Sequence, residues 1–315
     1  MSDSAPRKGV DVSSVPKQTQ GLADLSPRDK PWDKHRANAD RVSTYYARSE
    51  FQRYSQRINF CAEYLDFRLV PGEEGVYRLK LANARFCRVR HCPVCQWRRS
   101  LMWKAKAFRV LPQIVADYEG YRWVFLTLTV KNCKITELKE TLVWMNKGFK
   151  RLSELKAWPG VGWLKSVEVT RGKDGSAHPH FHCLLLVKPG YFGKNYIKQA
   201  EWVEMWRRSL RIDYDPVLDV QAVKKGQQPM QLVPELLKYC VKESDLVADQ
   251  EWFLELTRQM HKMKGVITGG VLKDYVKELE EEPEDLIGED GEGEVDEGHL
   301  YFGWKRDKKK YKLLE

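Results

Sequence analysis

No apolar run of about 18 residues, the length that a membrane-spanning helix needs, occurs in this chain of 315 residues. Residues 1–30 also lack the apolar segment of a secretory signal peptide. These two absences predict a cytoplasmic protein with no membrane partner, in which cysteines stay reduced and form no disulfides. No internal repeat is found either.

Acidic residues are scarce outside one segment. The net charge is +10 and the pI is about 9.1, yet residues 278–297 hold twelve Asp and Glu and no Lys or Arg. The rest of the chain is therefore more basic than the net charge indicates. This charge favours a polyanionic partner, usually nucleic acid, over the alternative of a merely soluble basic protein.

Composition divides the chain into five segments. A polar, disordered N-terminal tail is predicted first, and a helical region that contains a cysteine cluster follows it. A larger region of strands and helices comes next, then a flexible acidic insertion and a basic C-terminal tail. In chain order these segments are 1–38, 39–118, 119–277, 278–298 and 299–315.

The larger region has the pattern of an α+β domain. The sequence predicts a buried strand at 123–130, a helix at 139–155, a hairpin of strands 163–170 and 178–187, and a helix at 231–244. Strands and helices mixed in this order indicate a central antiparallel sheet with helices on one face.

Three histidines alternate along the second strand of that hairpin, at His178, His180 and His182. Because alternate side chains of a strand share a face, the three imidazoles are predicted to point the same way, while Phe181 and Cys183 point into a core. Imidazoles two residues apart on a strand can bind one metal ion, since histidine is the commonest metal ligand. The alternative is a polar strand face that binds no metal.

Four cysteines have the spacing of a structural zinc site. Cys87, Cys92 and Cys95 form a C-x4-C-x2-C array, and Cys61 lies upstream. Zinc takes four N or S ligands in a tetrahedron. Cys61 is the predicted fourth ligand, because an intervening strand returns the chain, and His91 is its rival. The alternative is a set of unliganded thiols.

Three side chains of different chemistry share one face of the helix predicted at 231–244. Glu235 and Tyr239 are four residues apart, and Lys242 follows three residues later. A phenol can attack phosphorus, an ammonium can stabilise the charge, and a carboxylate can later activate water. Alone, such a face is also typical of a solvated helix surface.

Together these blocks resemble a known family, the plasmid rolling-circle replication initiators of the HUH endonuclease superfamily. The resemblance covers residues 57–275 and follows the family's order. Its motifs are Phe125-Leu126-Thr127-Leu128-Thr129, His178-Pro179-His180-Phe181-His182, the Glu-x3-Tyr-x2-Lys spacing from Glu235 to Lys242, and the cysteine array followed by Arg98-Arg99.

The resemblance implies a ferredoxin-like or RRM-like sheet in an endonuclease domain at 119–277, with the histidines on a central strand. It also implies a catalytic Mg2+ or Mn2+ bound by His180 and His182. Glu168, predicted to lie opposite His178 in the hairpin, is the expected third ligand, and Asp174 in the turn is a weaker choice. His178 is either a further ligand or a residue that orients one.

The implied activity is site-specific nicking of single-stranded DNA at a plasmid origin. Tyr239 would form a 5′-phosphotyrosine and release a 3′-OH for a host polymerase, with a host helicase as a further partner. Glu235 would activate water at termination. Origin binding is expected from four arginines near the cysteine cluster: Arg88, Arg90, Arg98 and Arg99.

Three other readings remain at this point. A transposase or conjugative relaxase of the same superfamily would share the chemistry. A metal-dependent hydrolase of the β-lactamase kind would carry an Asp-His pair after His182, where Cys183-Leu184 stand instead. A non-enzymatic zinc module that binds nucleic acid would explain the cysteines and the charge, but it would leave the histidine strand without a role.

Overall fold

The computed structural model of the protein describes residues 21–72, 77–223, 233–237, 241–275 and 298–314. Residues 1–20 of the predicted tail and the acidic residues 278–297 lie outside these ranges. Within them, no helix is long and apolar enough to cross a membrane.

Helices and strands are mixed along the described residues. The helices in the described ranges are α1 (Leu22–Leu25), α2 (Pro31–Ala47), α3 (Gln52–Asn59), α4 (Pro93–Asp117), α5 (Leu138–Ser153), α6 (Gln199–Leu210), α7 (Val233–Leu236), α8 (Glu243–Leu246) and α9 (Gln250–Gln259). The strands there are β1 (Tyr64–Pro71), β2 (Tyr77–Ala84), β3 (Arg122–Thr129), β4 (Gly160–Arg171), β5 (Ala177–Val187), β6 (Leu218–Ala222), β7 (Val266–Gly270), β8 (His299–Lys305) and β9 (Lys310–Leu313). The mixed α+β class is therefore confirmed.

The chain divides into two compact units, and helix α4 contributes residues to both. The first unit joins residues 1–99 to 285–315, and the second is residues 100–284.

The first unit contains an antiparallel sheet of order β2-β1-β8-β9. Its inner face packs on α2, where the ring of Trp32 meets Phe67 at 6.4 Å and Tyr311 at 6.3 Å between centroids. Trp304 of β8 also reaches α2, since its Nε1 donates to Asp40 Oδ2 at 2.8 Å.

Two segments predicted from the sequence to be tails contain secondary structure of this unit. Residues 299–315, predicted as a basic tail, include β8 and β9, because Phe302, Trp304 and Tyr311 lie on the inward-facing side of these strands and bury their rings. Residues 21–38, assigned to the disordered tail, include α1 and the start of α2. The N-terminal region is thus sheet and helix rather than helical alone.

The second unit contains an antiparallel sheet of order β6-β3-β5-β4-β7, with the histidine strand β5 in the middle. On one face, Phe149 of α5 packs edge-on against Phe181 at 6.2 Å. Trp206 of α6 donates from Nε1 to the carbonyl oxygen of Thr129 at 2.9 Å. These two helices cover the face of β5 that points away from the histidines.

Helices also cover the opposite face, contrary to the prediction of helices on one side only. Leu111 of α4 and Leu236 of α7 join Phe125, Leu184 and Leu186 in one buried cluster. The physical reason lies in β5, whose face carries histidines at one end and leucines at the other. The leucine end needs an apolar cover.

Candidate metal centre

Strand β5 presents His178, His180 and His182 on one face, as the alternation of side chains requires. On the other face Phe181 and Cys183 are fully buried. The imidazoles of His180 and His182 are almost buried as well, with 9% and 7% of their surface exposed. Both side chains are therefore shielded from solvent and do not form a solvated strand face.

Glu168 brings the two histidines together. Its Oε2 lies 3.0 Å from Nε2 of His180 and 2.9 Å from Nε2 of His182. The carboxylate itself is buried, with 5% of the residue exposed. One ligand atom from each of the three residues lies within 4.8 Å of the others, so this group can hold a metal ion.

The position of Glu168 in the hairpin corrects one prediction. Glu168 pairs with His180, whereas the sequence analysis placed it opposite His178, which pairs with Thr170. The turn is centred one residue later than expected, at Asp174, and this moves each partner by two residues. The Asp174 carboxylate accepts hydrogen bonds from the backbone N and Oγ of Ser176, at 3.1 and 2.6 Å, and so fixes that turn. Asp174 is thus a turn residue and not a member of the group.

The second nitrogen of each imidazole also faces an oxygen. Nδ1 of His180 lies 3.3 Å from the carbonyl oxygen of His178, and Nδ1 of His182 lies 3.3 Å from Oγ1 of Thr127. A proton on each Nδ1 would leave both Nε2 lone pairs available to a metal ion held with Glu168, which is the tautomer that a metal ligand needs. Without an ion, a proton on Nε2 would instead be donated to the Glu168 carboxylate. Sequence reasoning missed Thr127, although it lies in the quoted β3 block and pairs with His182.

Charge favours an ionised Glu168. Burial raises the pKa of Glu168, but hydrogen bonds and charge from His180 and His182 outweigh burial and hold the pKa well below its usual range. His178 lies at the rim, with its ring 5.4 Å from that of His180 between centroids. Burial, and then the charge of His180, lower the pKa of His178. The described site is therefore an anionic carboxylate between two imidazoles, flanked by a third.

Two anchor points flank the segment that contains Tyr239. Ser166, which pairs with His182, donates from Oγ to the carbonyl oxygen of Leu236, and Val241 forms a parallel bridge with Val169. Tyr239 itself lies outside the described residues.

The helix predicted at 231–244 is not continuous, because α7 ends at Leu236 and Val241 forms a β-bridge. The prediction that one helical face carries Glu235, Tyr239 and Lys242 is therefore wrong. Glu235 and Lys242 are only partly described. Glu235 belongs to helix α7, but its side chain is outside the described set. Lys242 is exposed and precedes α8, and the backbone N atoms of Asp245 and Leu246, the last two residues of that helix, donate to its carbonyl oxygen.

Cys61, Cys87, Cys92 and Cys95 form a second buried group. The sulfur of Cys95 lies 3.5 Å from those of Cys61 and Cys87, and the sulfurs of Cys61 and Cys92 are 3.7 Å apart. A ZnS4 tetrahedron with Zn–S bonds of about 2.3 Å has edges of about 3.8 Å. A disulfide needs about 2.05 Å, so the spacing fits a shared metal ion and not a disulfide.

His91, the rival fourth ligand, lies outside this group. It is buried, and burial followed by the charges of Arg90 and Arg99 lowers its pKa to about 3. The upstream Cys61 completes the set of four instead. The strand β2 that returns the chain explains why, since Ala62 just after Cys61 donates from its backbone N to the carbonyl oxygen of Arg85.

The four arginines predicted to bind DNA surround the cysteine group. Arg99 donates to the carbonyl oxygens of Arg88 at 2.8 Å and Arg90 at 3.3 Å. The guanidinium of Arg98 lies over the rings of Trp32 and Trp97, at 5.5 and 5.7 Å from their centroids. Arg88 is exposed, and its backbone N donates to the sulfur of Cys95. Arg98 and Arg99 therefore have structural contacts, and DNA binding by this set stays a prediction.

Comparison with known proteins gives the family. A sheet-borne group of two histidines and a carboxylate in the second unit, and a cluster of four cysteines in the first, define a protein with two candidate metal centres. The profile of the Rep_1 family, described as "Replication protein", matches residues 78–312. The chain belongs to this family, and the resemblance to replication initiators is confirmed at that level.

Several relatives named "Protein rep" match most of the chain. The relative from Bacillus amyloliquefaciens is 34% identical over 286 residues, which cover 80% of this chain and 83% of that protein. The relative from Lentilactobacillus hilgardii is 32% identical over 303 residues, or 90% and 95% of the two chains. The relative from Lactiplantibacillus plantarum is 37% identical over 266 residues, or 79% and 82%. No solved structure matches this chain.

Proposed function

We propose that this protein initiates rolling-circle replication of a plasmid by nicking one DNA strand at the origin. The observation that carries the proposal is the buried group of Glu168, His180 and His182, in which one carboxylate oxygen faces two imidazole nitrogens. In a replication protein with a basic body, such a group favours metal-assisted chemistry on a phosphodiester.

The fold around the group supports this reading. Strand β3 is followed by α5, strands β4 and β5 form a hairpin, and α6 then leads to β6. Their order in the sheet, β6-β3-β5-β4, is that of the ferredoxin-like arrangement with β7 added at one edge.

The donor set fits a divalent cation. Two imidazole nitrogens and a carboxylate oxygen suit Mn2+ and admit Mg2+, which prefers oxygen ligands. A bound cation would neutralise charge on the scissile phosphate and on the departing 3′ oxygen. Glu168 and the two histidines would hold it, with His178 at the rim.

The two anchors support Tyr239 as the nucleophile. Ser100 Oγ donates to the Leu237 carbonyl oxygen at 2.8 Å, and Val241 bridges Val169, the residue after Glu168. The described residues on either side of Tyr239 in the sequence are thus attached to the unit that carries the carboxylate, and this attachment supports the proposal.

Two other tyrosines, Tyr275 and Tyr196, are less suited to attack the phosphorus. The hydroxyl of Tyr275 donates to Asp117 Oδ2 at 2.6 Å, and this bond, more than burial, raises the pKa of Tyr275 to about 12. Tyr196 is exposed and lacks a glutamate four residues before it.

The chemical steps follow from these residues. The oxygen of Tyr239 attacks the phosphorus, the bond to the 3′ oxygen breaks, and that oxygen takes up a proton to become the 3′-OH. The phenol proton passes to a nearby base. The phosphotyrosine ester keeps the strand activated for rejoining, and Glu235 would activate the water that ends a round. Lys242 would stabilise the negative charge of the phosphate.

The cysteine group would bind a structural Zn2+, because four buried sulfurs within one tetrahedron suit that ion. Arg88 and Arg90 beside it would contact origin DNA, with Arg98 and Arg99 supporting this surface. A host helicase and a DNA polymerase would take over from the nicked origin.

The test is the formation of a covalent protein–DNA adduct. Wild-type protein, Tyr239→Phe and the matched control Tyr275→Phe are incubated with Mn2+ and single-stranded fragments that tile the plasmid carrying the gene. A denaturing protein gel should show a shifted band for the wild type and Tyr275→Phe, and none for Tyr239→Phe.

The other outcomes separate the alternatives. A band that survives in Tyr239→Phe moves the nucleophile to another tyrosine and keeps the enzyme class. If the wild type binds the fragments without cleaving any of them, the proposal fails, and a zinc-dependent binding module takes its place. An adduct on transposon ends or on a conjugative transfer origin would indicate a transposase or relaxase instead.

A further inference from the structure

The sheet of the first unit has an outer face that the nicking chemistry does not use. Strands β1 and β8 alternate, so that Leu65 and Phe67 point inward with Phe302. Tyr64 and Tyr301 point outward, and 62% and 50% of their surfaces are exposed. Exposed rings that adjoin one another, unlike single exposed rings, indicate an interaction surface.

The two rings are close enough to act together. Tyr64 pairs with Gly303, and Tyr301 pairs with Asp66, two residues along each strand. Diagonal neighbours of this kind in an antiparallel pair lie about 7–8 Å apart. The ring of His299 lies nearly parallel to that of Tyr301, at 20° and 6.0 Å between centroids. The face therefore offers a short row of flat rings.

Positive charge surrounds this row. Arg68 pairs with His299 on one side and with Lys80 on the other, so all three side chains share the outer face. On the far side of β8, Lys312 pairs with Gly303. Among the described residues of β1, β2, β8 and β9, Asp66 is the acidic one on this face, and its Oδ1 lies 2.5 Å from Nδ1 of His299.

A third exposed ring of the first unit follows helix α3. Phe60, just after that helix, is 52% exposed, and the guanidinium of Arg85 lies over its ring at 5.4 Å. Aromatic rings interleaved with cations suit unpaired nucleic acid, because every base has a face that stacks and every phosphate carries a charge. A double helix hides its base faces and could use only the cations.

We propose that the outer face of the β2-β1-β8-β9 sheet binds single-stranded DNA, with bases stacked on Tyr64 and Tyr301 and phosphates on Arg68, Lys80 and Lys312. This surface is separate from the arginines beside the cysteine group. The proposal does not rest on the nicking chemistry, and it concerns affinity rather than cleavage.

Binding of a fluorescein-labelled oligothymidine of about 16 nucleotides to the full chain tests the proposal. Fluorescence anisotropy is read without added Mn2+ for the wild type, Tyr64→Ala/Tyr301→Ala, and Tyr64→Phe/Tyr301→Phe. The matched control is Tyr196→Ala, which removes a ring of 51% exposure from the second unit. Circular dichroism checks that each variant is folded.

The expected result is a loss of affinity of at least about tenfold for the double alanine variant, since each stacked base contributes about 1–3 kcal/mol. The double phenylalanine variant and Tyr196→Ala should bind like the wild type. Binding of a duplex of the same length should not change in any of them. Lys80→Gln should lower the slope of log affinity against log salt by about one.

Three results would overturn the proposal. The first is unchanged oligothymidine affinity in the double alanine variant. The second is an equal loss of duplex affinity, which would indicate a general phosphate surface. The third is loss of self-association by sedimentation with unchanged DNA binding, because the face would then join two copies of the chain.

Discussion

Lys165, on the strand that carries Glu168, is a buried cation whose removal should make the protein more stable at neutral pH. Its side chain points away from the metal group, where 2% of the residue is exposed. Nζ donates to Asn146 Oδ1 at 2.6 Å and lies over the rings of Phe149 and Phe181. Burial lowers the pKa of Lys165 from 10.5 to about 8.

The size of the effect follows from that difference. A shift from 10.5 to about 8 corresponds to about 3 kcal/mol, since each pKa unit is worth about 1.4 kcal/mol. The two ring contacts stabilise the ammonium by about 1–2 kcal/mol. The free energy of unfolding is therefore expected to change by about 1–3 kcal/mol as Lys165 titrates. Below the folded pKa, both states carry the proton, and the native state bears the full cost of burying the charge. Between about 8 and 10.5 only the unfolded state keeps the proton, so stability rises with pH.

The perturbation is Lys165→Met, which keeps the length of the side chain and removes the charge. Urea unfolding at several pH values between about 7 and about 10 gives the free energy of unfolding of the variant minus that of the wild type. This difference should be largest near neutrality and should shrink as pH rises. Lys147→Met, on the exposed side of α5, is the control and should show a difference that does not depend on pH.

A pH-independent difference for Lys165→Met would refute the reasoning. It would mean that the rings and Asn146 compensate fully for lost hydration, so that Lys165 titrates like a lysine in water. Cys183, which pairs with Lys165, should contribute little to this difference, because its buried thiol stays protonated over this pH range in both folded proteins. Burial raises the pKa of Cys183 to about 12.

Three further perturbations address the metal groups and the acidic segment. Glu168→Gln should weaken Mn2+ binding in calorimetry by more than about 100-fold, since the loss of a residue that only supports a ligand costs about 10–100-fold, and unchanged affinity would remove Glu168 from the site. Cys61→Ser should lose its zinc by mass spectrometry and melt at a lower temperature, whereas Cys133→Ser should keep both, and a full zinc complement in Cys61→Ser would contradict the tetrahedral assignment. Deleting residues 280–297 should raise DNA affinity at low salt and have little effect near 1 M salt, where charges are screened within about 3 Å; no rise at low salt would count against electrostatic repulsion by this segment.

The sequence predicted the shared face of His180 and His182 correctly, but it did not predict which residue of β5 pairs with Glu168. Alternation along β5 is a local property, so the shared face of His180 and His182 could be read from the sequence alone. Which residue of β5 pairs with Glu168 depends on where the hairpin turn is centred. A hydrogen bond from the Ser176 hydroxyl to the Asp174 carboxylate stabilises the observed turn. A change of one residue in a turn is below the resolution of pattern reasoning.

Long-range pairing was the other feature that the sequence concealed. The lysines of β9 resemble a solvated tail until Tyr311 is seen to bury its ring against Trp32. Such contacts depend on partners far away in sequence, about which local composition carries no information. Cys61 is the exception, since the strand predicted between it and Cys87 already indicated that the chain returns to the cysteine group.

The closure of the first sheet by β8 and β9 also sets an order of events during synthesis. Asp66 and His299, which meet across β1 and β8, are 233 residues apart in the chain. At about 5–20 residues per second, a ribosome needs roughly 10–50 s to make His299 after Asp66. Through that interval β1 has an open edge on the side that β8 will occupy, and the whole second unit emerges before the partner strand exists. A nascent chain in this state is exposed to aggregation and proteolysis, so a premature stop codon late in the gene would disable the N-terminal sheet first.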